Sequence, residues 1–137
     1  DLQIDIRTLP GHGEAEVREM LDEALGDLAP KVELIAAADD PSTASPIETP
    51  LWDALGRVTQ QFYAGSKIVP FMTVGATDAR FFRRLGTTSY GFGLFSEHLS
   101  FEDYGAMFHG DDERIDVESL QLSTAMWEAL AADLLEG

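Results

Sequence analysis

The 137-residue sequence contains no cysteine, which excludes disulfides and thiolate metal sites and leaves a reducing compartment open. Positive charge is scarce. Nine Lys and Arg stand against 25 Asp and Glu, for a formal net charge of -16. A field of that sign repels phosphate backbones and anionic lipid, so it argues against nucleic acid and membrane as partners. No apolar run approaches the ~18 residues that a membrane span needs. The sequence also lacks an internal repeat, a Gly-x-Ser-x-Gly nucleophile elbow and a His-Glu-x-x-His zinc helix. What remains is 45% hydrophobic and 9% aromatic, the composition of a folded domain. The absence of cysteine and of a secretion signal fits a cytoplasmic protein. The first residue is Asp1 rather than Met, which points to a processed or truncated chain with sequence upstream.

Hydrophobic periodicity predicts an α/β protein. Leu2, Ile4 and Ile6 alternate with Gln3, Asp5 and Arg7, as in a half-buried strand. From Glu14 the period changes: Val17, Met20, Leu21, Ala24, Leu25 and Leu28 share a helical face, and Pro30 bars continuation. Residues 31–37 read as a second strand. The stretch 39–50 carries Pro41, Pro46 and Pro50 among Ser and Thr and reads as a connector. Pro50 opens a helix whose core face is Leu51, Leu55, Val58 and Phe62, and Gly65 ends it. Residues 68–74 and 88–94 read as strands, with a short helix from Ala79 between them. In the second strand, Gly91 and Gly93 mark a close backbone or ligand approach. Residues 95–108 read as a loop. A last helix follows from about Asp116 to Leu135, with Val117, Leu120, Thr124, Trp127, Leu130 and Leu134 facing in. The order is β-α-β, connector, α-β-α-β-α, which predicts a layered sheet with helices.

The chemistry-bearing residues are few. His12 lies between glycines in a turn, and His98 lies in the 95–108 loop. His109 differs, because Met107-Phe108 precedes it and Gly110-Asp111-Asp112-Glu113-Arg114 follows. Its apolar flank suits a buried turn, where the imidazole is either structural or a ligand. Thr77 and Asp78 follow a glycine turn at a helix start, where they can cap the helix or bind an anion or a carbonyl oxygen. Arg7 sits on the polar face of the first predicted strand. Its planar fork suits a carboxylate.

Three segments taken in order resemble one family. Asp5-Ile6-Arg7-Thr8-Leu9-Pro10-Gly11 is similar to a strand ending in the lid domain of the zinc-dependent peptidase family M20, which includes aminoacylase, carboxypeptidase G and succinyl-diaminopimelate desuccinylase. Gly75-Ala76-Thr77-Asp78-Ala79-Arg80 resembles that family's Gly-x-Thr-Asp-x-Arg segment. Tyr90-Gly91-Phe92-Gly93 followed by Phe108-His109-Gly110-Asp111-Asp112-Glu113-Arg114-Ile115 resembles its closing pattern. The likeness spans nearly the whole chain.

The resemblance implies a two-zinc hydrolase that cleaves amide bonds next to a free carboxylate, in peptides or N-acyl amino acids. It also implies a lid domain that dimerises. Under it, His109 ligates one zinc, Arg7 grips the substrate carboxylate, Thr77 and Asp78 line the substrate pocket, and Glu113 supports the metal ligand from behind. The family's general base, its bridging aspartate and its paired glutamates belong to the N-terminal half, so no catalytic base is expected in this chain. Residues 1–44 would be the C-terminal half of the lid and 45–137 the closing part of the catalytic domain. The isolated chain is then expected to be an inactive fragment. Leu94 stands where many relatives carry proline. The competing expectation is a non-catalytic α/β binding or interaction module.

Overall fold

The structure is a computed structural model that describes residues 2–35 and 40–136. Its elements are helices α1 (Glu14–Leu25), α2 (Pro50–Phe62), α3 (Ala79–Arg84), α4 (Phe101–Ala106) and α5 (Val117–Glu136), with a 3-10 turn at Gly26–Lys31. Among the described residues there is no β-strand. The predicted layered α/β sheet is therefore wrong for this chain. The segments 2–7, 32–35, 68–74 and 88–94 lie outside regular structure, and predicted strand positions 36 and 37 fall outside the described residues. The physical reason is that alternation supplies a strand with a face but not with a partner. A strand exists only where a neighbouring backbone completes the ladder. Leu2, Ile4, Val69, Phe71 and Val74 remain largely solvent-exposed.

The chain forms two compact units, one of Asp1–Ser45 with Met72–Ser89, the other of Pro46–Phe71 with Tyr90–Gly137. In the first unit no described residue is buried. Its α1 has the predicted start, with Glu16 accepting from the Gly13 backbone N–H at 2.9 Å. Two arginines of α3 organise the rest. Arg83 donates through Nε and a terminal nitrogen to the Ser89 carbonyl at 3.0 and 2.7 Å, and Arg84 pairs with Asp40.

The second unit holds the core. Ala54, Leu55 and Val58 of α2 pack with Leu94 and with Met126 and Leu130 of α5. Helix α2 forms as its sequence dictates: Thr49 accepts from the Trp52 N–H at 3.1 Å, Pro50 follows the cap, and Leu55 and Val58 face inward. Helix α5 covers the predicted span, but of the residues expected to face in only Leu130 is buried, and the buried face is turned from the expected one. Ser119, Met126 and Leu130 are buried, whereas Val117, Leu120, Trp127 and Leu134 are exposed. The helix carries apolar residues around most of its circumference, so periodicity alone could not fix its rotation.

Two hydroxyls decide that rotation. The Leu94 N–H donates to Ser123 Oγ at 3.1 Å, and the Ser123 hydroxyl donates back to the Leu94 carbonyl at 2.8 Å. The Ser96 N–H donates to Ser119 Oγ at 2.9 Å. Ser119 and Ser123 lie one helical turn apart, so α5 satisfies the backbone of the extended segment as a neighbouring strand would. Gly93 permits the approach, since a Cβ there would lie 3.3 Å from Ser123 Oγ. The close approach read from that glycine is thus present, although the strand is not. Ser123→Ala should destabilise the fold by roughly 1–3 kcal/mol, the cost of orphaned backbone groups, as read from urea denaturation.

Candidate functional site

The turn that carries His109 is built from the chain on both sides. Ser100 caps the short helix α4, accepting from the Asp103 N–H at 3.0 Å. This helix lies inside the predicted loop 95–108, and the Ser100-x-x-Asp103 pattern was its signal in the sequence. The Tyr104 ring meets Phe95 edge-on at 4.2 Å and Phe108 at 4.6 Å between centroids. Met107 is buried beneath the turn, and the Arg114 N–H closes it onto the Met107 carbonyl at 3.3 Å. Asp116 then opens α5 by accepting from the Ser119 N–H at 2.8 Å.

His109 has φ 53°, and among the described residues it is the one non-glycine in the left-handed region. That conformation costs an L-residue on the order of 1 kcal/mol, and it turns the imidazole outward. The side chain is 93% exposed. The expected buried flank exists only at Met107, because Phe108 is about half exposed. Glu113 is brought to His109: its Oε1 lies 3.4 Å from the His109 N–H and 3.9 Å from Nδ1. The carboxylate thus stands behind the turn on the Nδ1 side. His109-Gly110-Asp111 also has the His-x-Asp spacing of zinc ligands, yet no hydrogen bond or ion pair joins Asp111 to the imidazole.

The other expected site residues lie in the first unit. Arg7 pairs with Asp5 Oδ2 at 2.8 Å, both side chains more than half exposed. Thr77 Oγ1 accepts weakly from the Ala79 N–H at 3.4 Å. Asp78 occupies the cap position of α3 without a side-chain cap bond. No hydrogen bond or ion pair links Arg7 to Thr77 or Asp78 among the described residues. Those residues also hold no group of three or more His, Asp or Glu side chains able to enclose a metal. His109 with Glu113 fits one corner of a zinc site and does not make a site by itself.

The sequence reading missed the aromatic support. Phe101, Tyr104 and Phe108 recur at three and four residues, a spacing that places rings on one face. It also missed Asp116, whose carboxyl is held below the ordinary value of 3.8 by hydrogen bonds from Ser119. Asp40 and Asp133 are lowered in the same direction by their arginine partners Arg84 and Arg57. A depressed carboxyl contributes stability above its unfolded pKa and loses it as pH falls through the folded value. Stability should therefore be flat above about pH 5 and decline below pH 4. A Tm profile against pH checks this, and a maximum at pH 3 would contradict it.

The family model for "Peptidase family M20/M25/M40" matches residues 6–133. This chain belongs to that peptidase family. The match runs from the segment containing Arg7 to the last turns of α5, and it includes the whole His109 turn. Neither the curated proteins nor the solved structures contain a match to the chain. Among the described residues no helix of this peptidase-family chain is long and apolar enough to cross a membrane.

Proposed function

We propose that this M20-family chain is the C-terminal part of a two-zinc peptidase or amidohydrolase that cleaves amide bonds beside a free carboxylate. His109 would be one zinc ligand, binding through Nε2, and the remaining ligands and the general base would come from sequence outside these residues. The observation that carries the reading is the His109 turn. A strained backbone holds an exposed imidazole outward, with a carboxylate standing on its Nδ1 side. Strain of this kind persists where surrounding structure imposes it, and it gathers at functional sites. A ligating imidazole commonly has a carboxylate at its other nitrogen, which orients the ring and raises its basicity. The 3.9 Å approach of Glu113 Oε1 to Nδ1 supports Glu113 in that role.

Bound zinc would lower the pKa of a water to about 7 and polarise the scissile carbonyl. Arg7 would hold the substrate carboxylate with its guanidinium fork. Thr77 and Asp78 would line the pocket where the chain turns into α3. The lid half, residues 1–44, would pair with a second copy, and the enzyme would work in the cytoplasm. The substrates would be small peptides or N-acyl amino acids.

Zinc analysis tests the reading. The intact peptidase should carry two zinc ions per chain, and His109→Ala should lose at least one along with activity. The isolated 137-residue chain should bind zinc weakly and hydrolyse nothing. Tight stoichiometric zinc binding or peptide hydrolysis by this chain alone would overturn the proposal.

A further inference from the structure

We propose that residues 40–45 form an ionic strap over α3, closed at low ionic strength and opened by salt while the second unit stays folded. The groups that hold it all belong to the first unit.

The strap is tied down along its length. Arg84 donates to the Asp40 carboxylate and, at 3.2 Å, to the Pro41 carbonyl. Arg80 Nε lies 3.1 Å from the other Asp40 oxygen. Arg83, whose remaining N–H groups hold the Ser89 carbonyl, also reaches the Thr43 carbonyl at 3.4 Å and the Thr43 hydroxyl at 3.3 Å. The Ser89 N–H donates to Ser45 Oγ at 3.0 Å, and the Ser45 hydroxyl donates back to the Ser89 carbonyl at 3.2 Å.

No apolar burial reinforces these ties. The first unit has no buried residue among those described, and Phe81 and Phe82 of α3 are each more than half exposed. Attachment therefore rests on charge and hydrogen bonds, and salt screens charge. The charges are also unbalanced. From residue 79 to residue 96 the chain carries three arginines and no Asp or Glu, so one carboxylate, Asp40, serves both Arg80 and Arg84. It serves Arg80 poorly, because Nε is shut off from water and has no hydrogen-bond partner among the described residues.

The side chains of Arg80, Arg84 and Asp40 are 29%, 39% and 44% exposed, so dissolved ions reach both pairs. Screening sets in over ~30 Å at 0.01 M salt and over ~3 Å at 1 M, the length of the pairs themselves. An exposed ion pair shifts an equilibrium by no more than about 5-fold. A segment held this way opens locally, at far lower free energy than a packed core. Opening bares the guanidinium groups of α3, so ionic strength sets how much of this cationic face a chain of net charge -16 displays.

Trypsin reads the strap, because Arg84 enters the protease only after leaving Asp40. The native protein is digested briefly and the fragments are counted by mass spectrometry. Cleavage after the exposed Arg114 of the second unit corrects for the effect of salt on the protease. Between about 0.01 M and about 1 M NaCl, cleavage after Arg84 relative to Arg114 should rise about 3- to 5-fold, with the fluorescence of Trp52 and Trp127 unchanged. Asp40→Asn should give the high ratio already at low salt, with little further rise. Asp40→Glu keeps the charge and should retain most of the salt dependence. A ratio independent of salt in the unaltered protein would overturn the strap, as would Asp40→Asn matching the unaltered protein. A tryptophan change at the same salt concentration as the rise in cleavage would overturn the separate opening.

Discussion

His109→Gly should make the chain more stable while disabling the proposed two-zinc hydrolase. Histidine at φ 53° carries a left-handed backbone penalty of about 1–2 kcal/mol, which glycine does not have. Glycine gives back roughly half of that gain through the greater freedom of its unfolded chain. The net expectation is stabilisation by about 0.5–1 kcal/mol, a rise of a few degrees in Tm. With the imidazole 93% exposed, no packing is lost to offset it. In the intact peptidase the same change removes a proposed metal ligand. Zinc affinity should fall by more than about 100-fold, the upper end of what removing a mere supporting partner costs. Glu113→Gln should show that smaller effect, about 10- to 100-fold. Denaturant midpoints at unchanged m value, together with zinc content, read both halves. A residue kept for stability would give the reverse: destabilisation by glycine with zinc retained.

Leu55→Ala should come close to unfolding the second unit. Leu55 is 2% exposed, at the centre of the cluster that joins α2 to Leu94, Met126 and Leu130. A Leu→Ala change in such a site costs about 2–5 kcal/mol in transfer and cavity terms. A domain of this size has a total of only about 5–15 kcal/mol. The core is small, with six buried hydrophobic residues in contact, so few neighbours remain to close the cavity. Urea denaturation followed by tryptophan fluorescence reports directly, because Trp52 lies on α2 and Trp127 on α5. The exposed Arg57–Asp133 ion pair is the internal control. Arg57→Ala should cost far less, since a solvated pair gains little over water. Equal effects would mean that the α2–α5 contact is held by charge and not by packing.

The sequence by itself determined four of the five α-helices and the family; α4 fell in a stretch that read as a loop. Pro50, the Leu51, Leu55, Val58, Phe62 stripe and Gly65 specify α2 through local chemistry, and the structure forms it with that start and that face. Pro30 and the Glu14 start bracket α1 and its 3-10 extension in the same way. The three motifs around Arg7, Thr77-Asp78 and His109 were legible because sequence order and spacing carry them, and the family match spans them all. What the sequence could not determine was anything that depends on a partner. Alternation at Leu2–Arg7 and the apolar run Ile68–Val74 proposed strands, but a ladder needs a second backbone, and none pairs with these segments among the described residues. The face of α5 was misread because apolar residues line most of it, and the choice fell to Ser119 and Ser123 bonding to Ser96 and Leu94. The outward imidazole at His109 was equally invisible, since the sequence suggested a buried turn. Only the packing of Tyr104 under Phe108 and of Met107 beneath the turn, with Glu113 behind it, fixes a histidine in a backbone conformation it would not adopt alone.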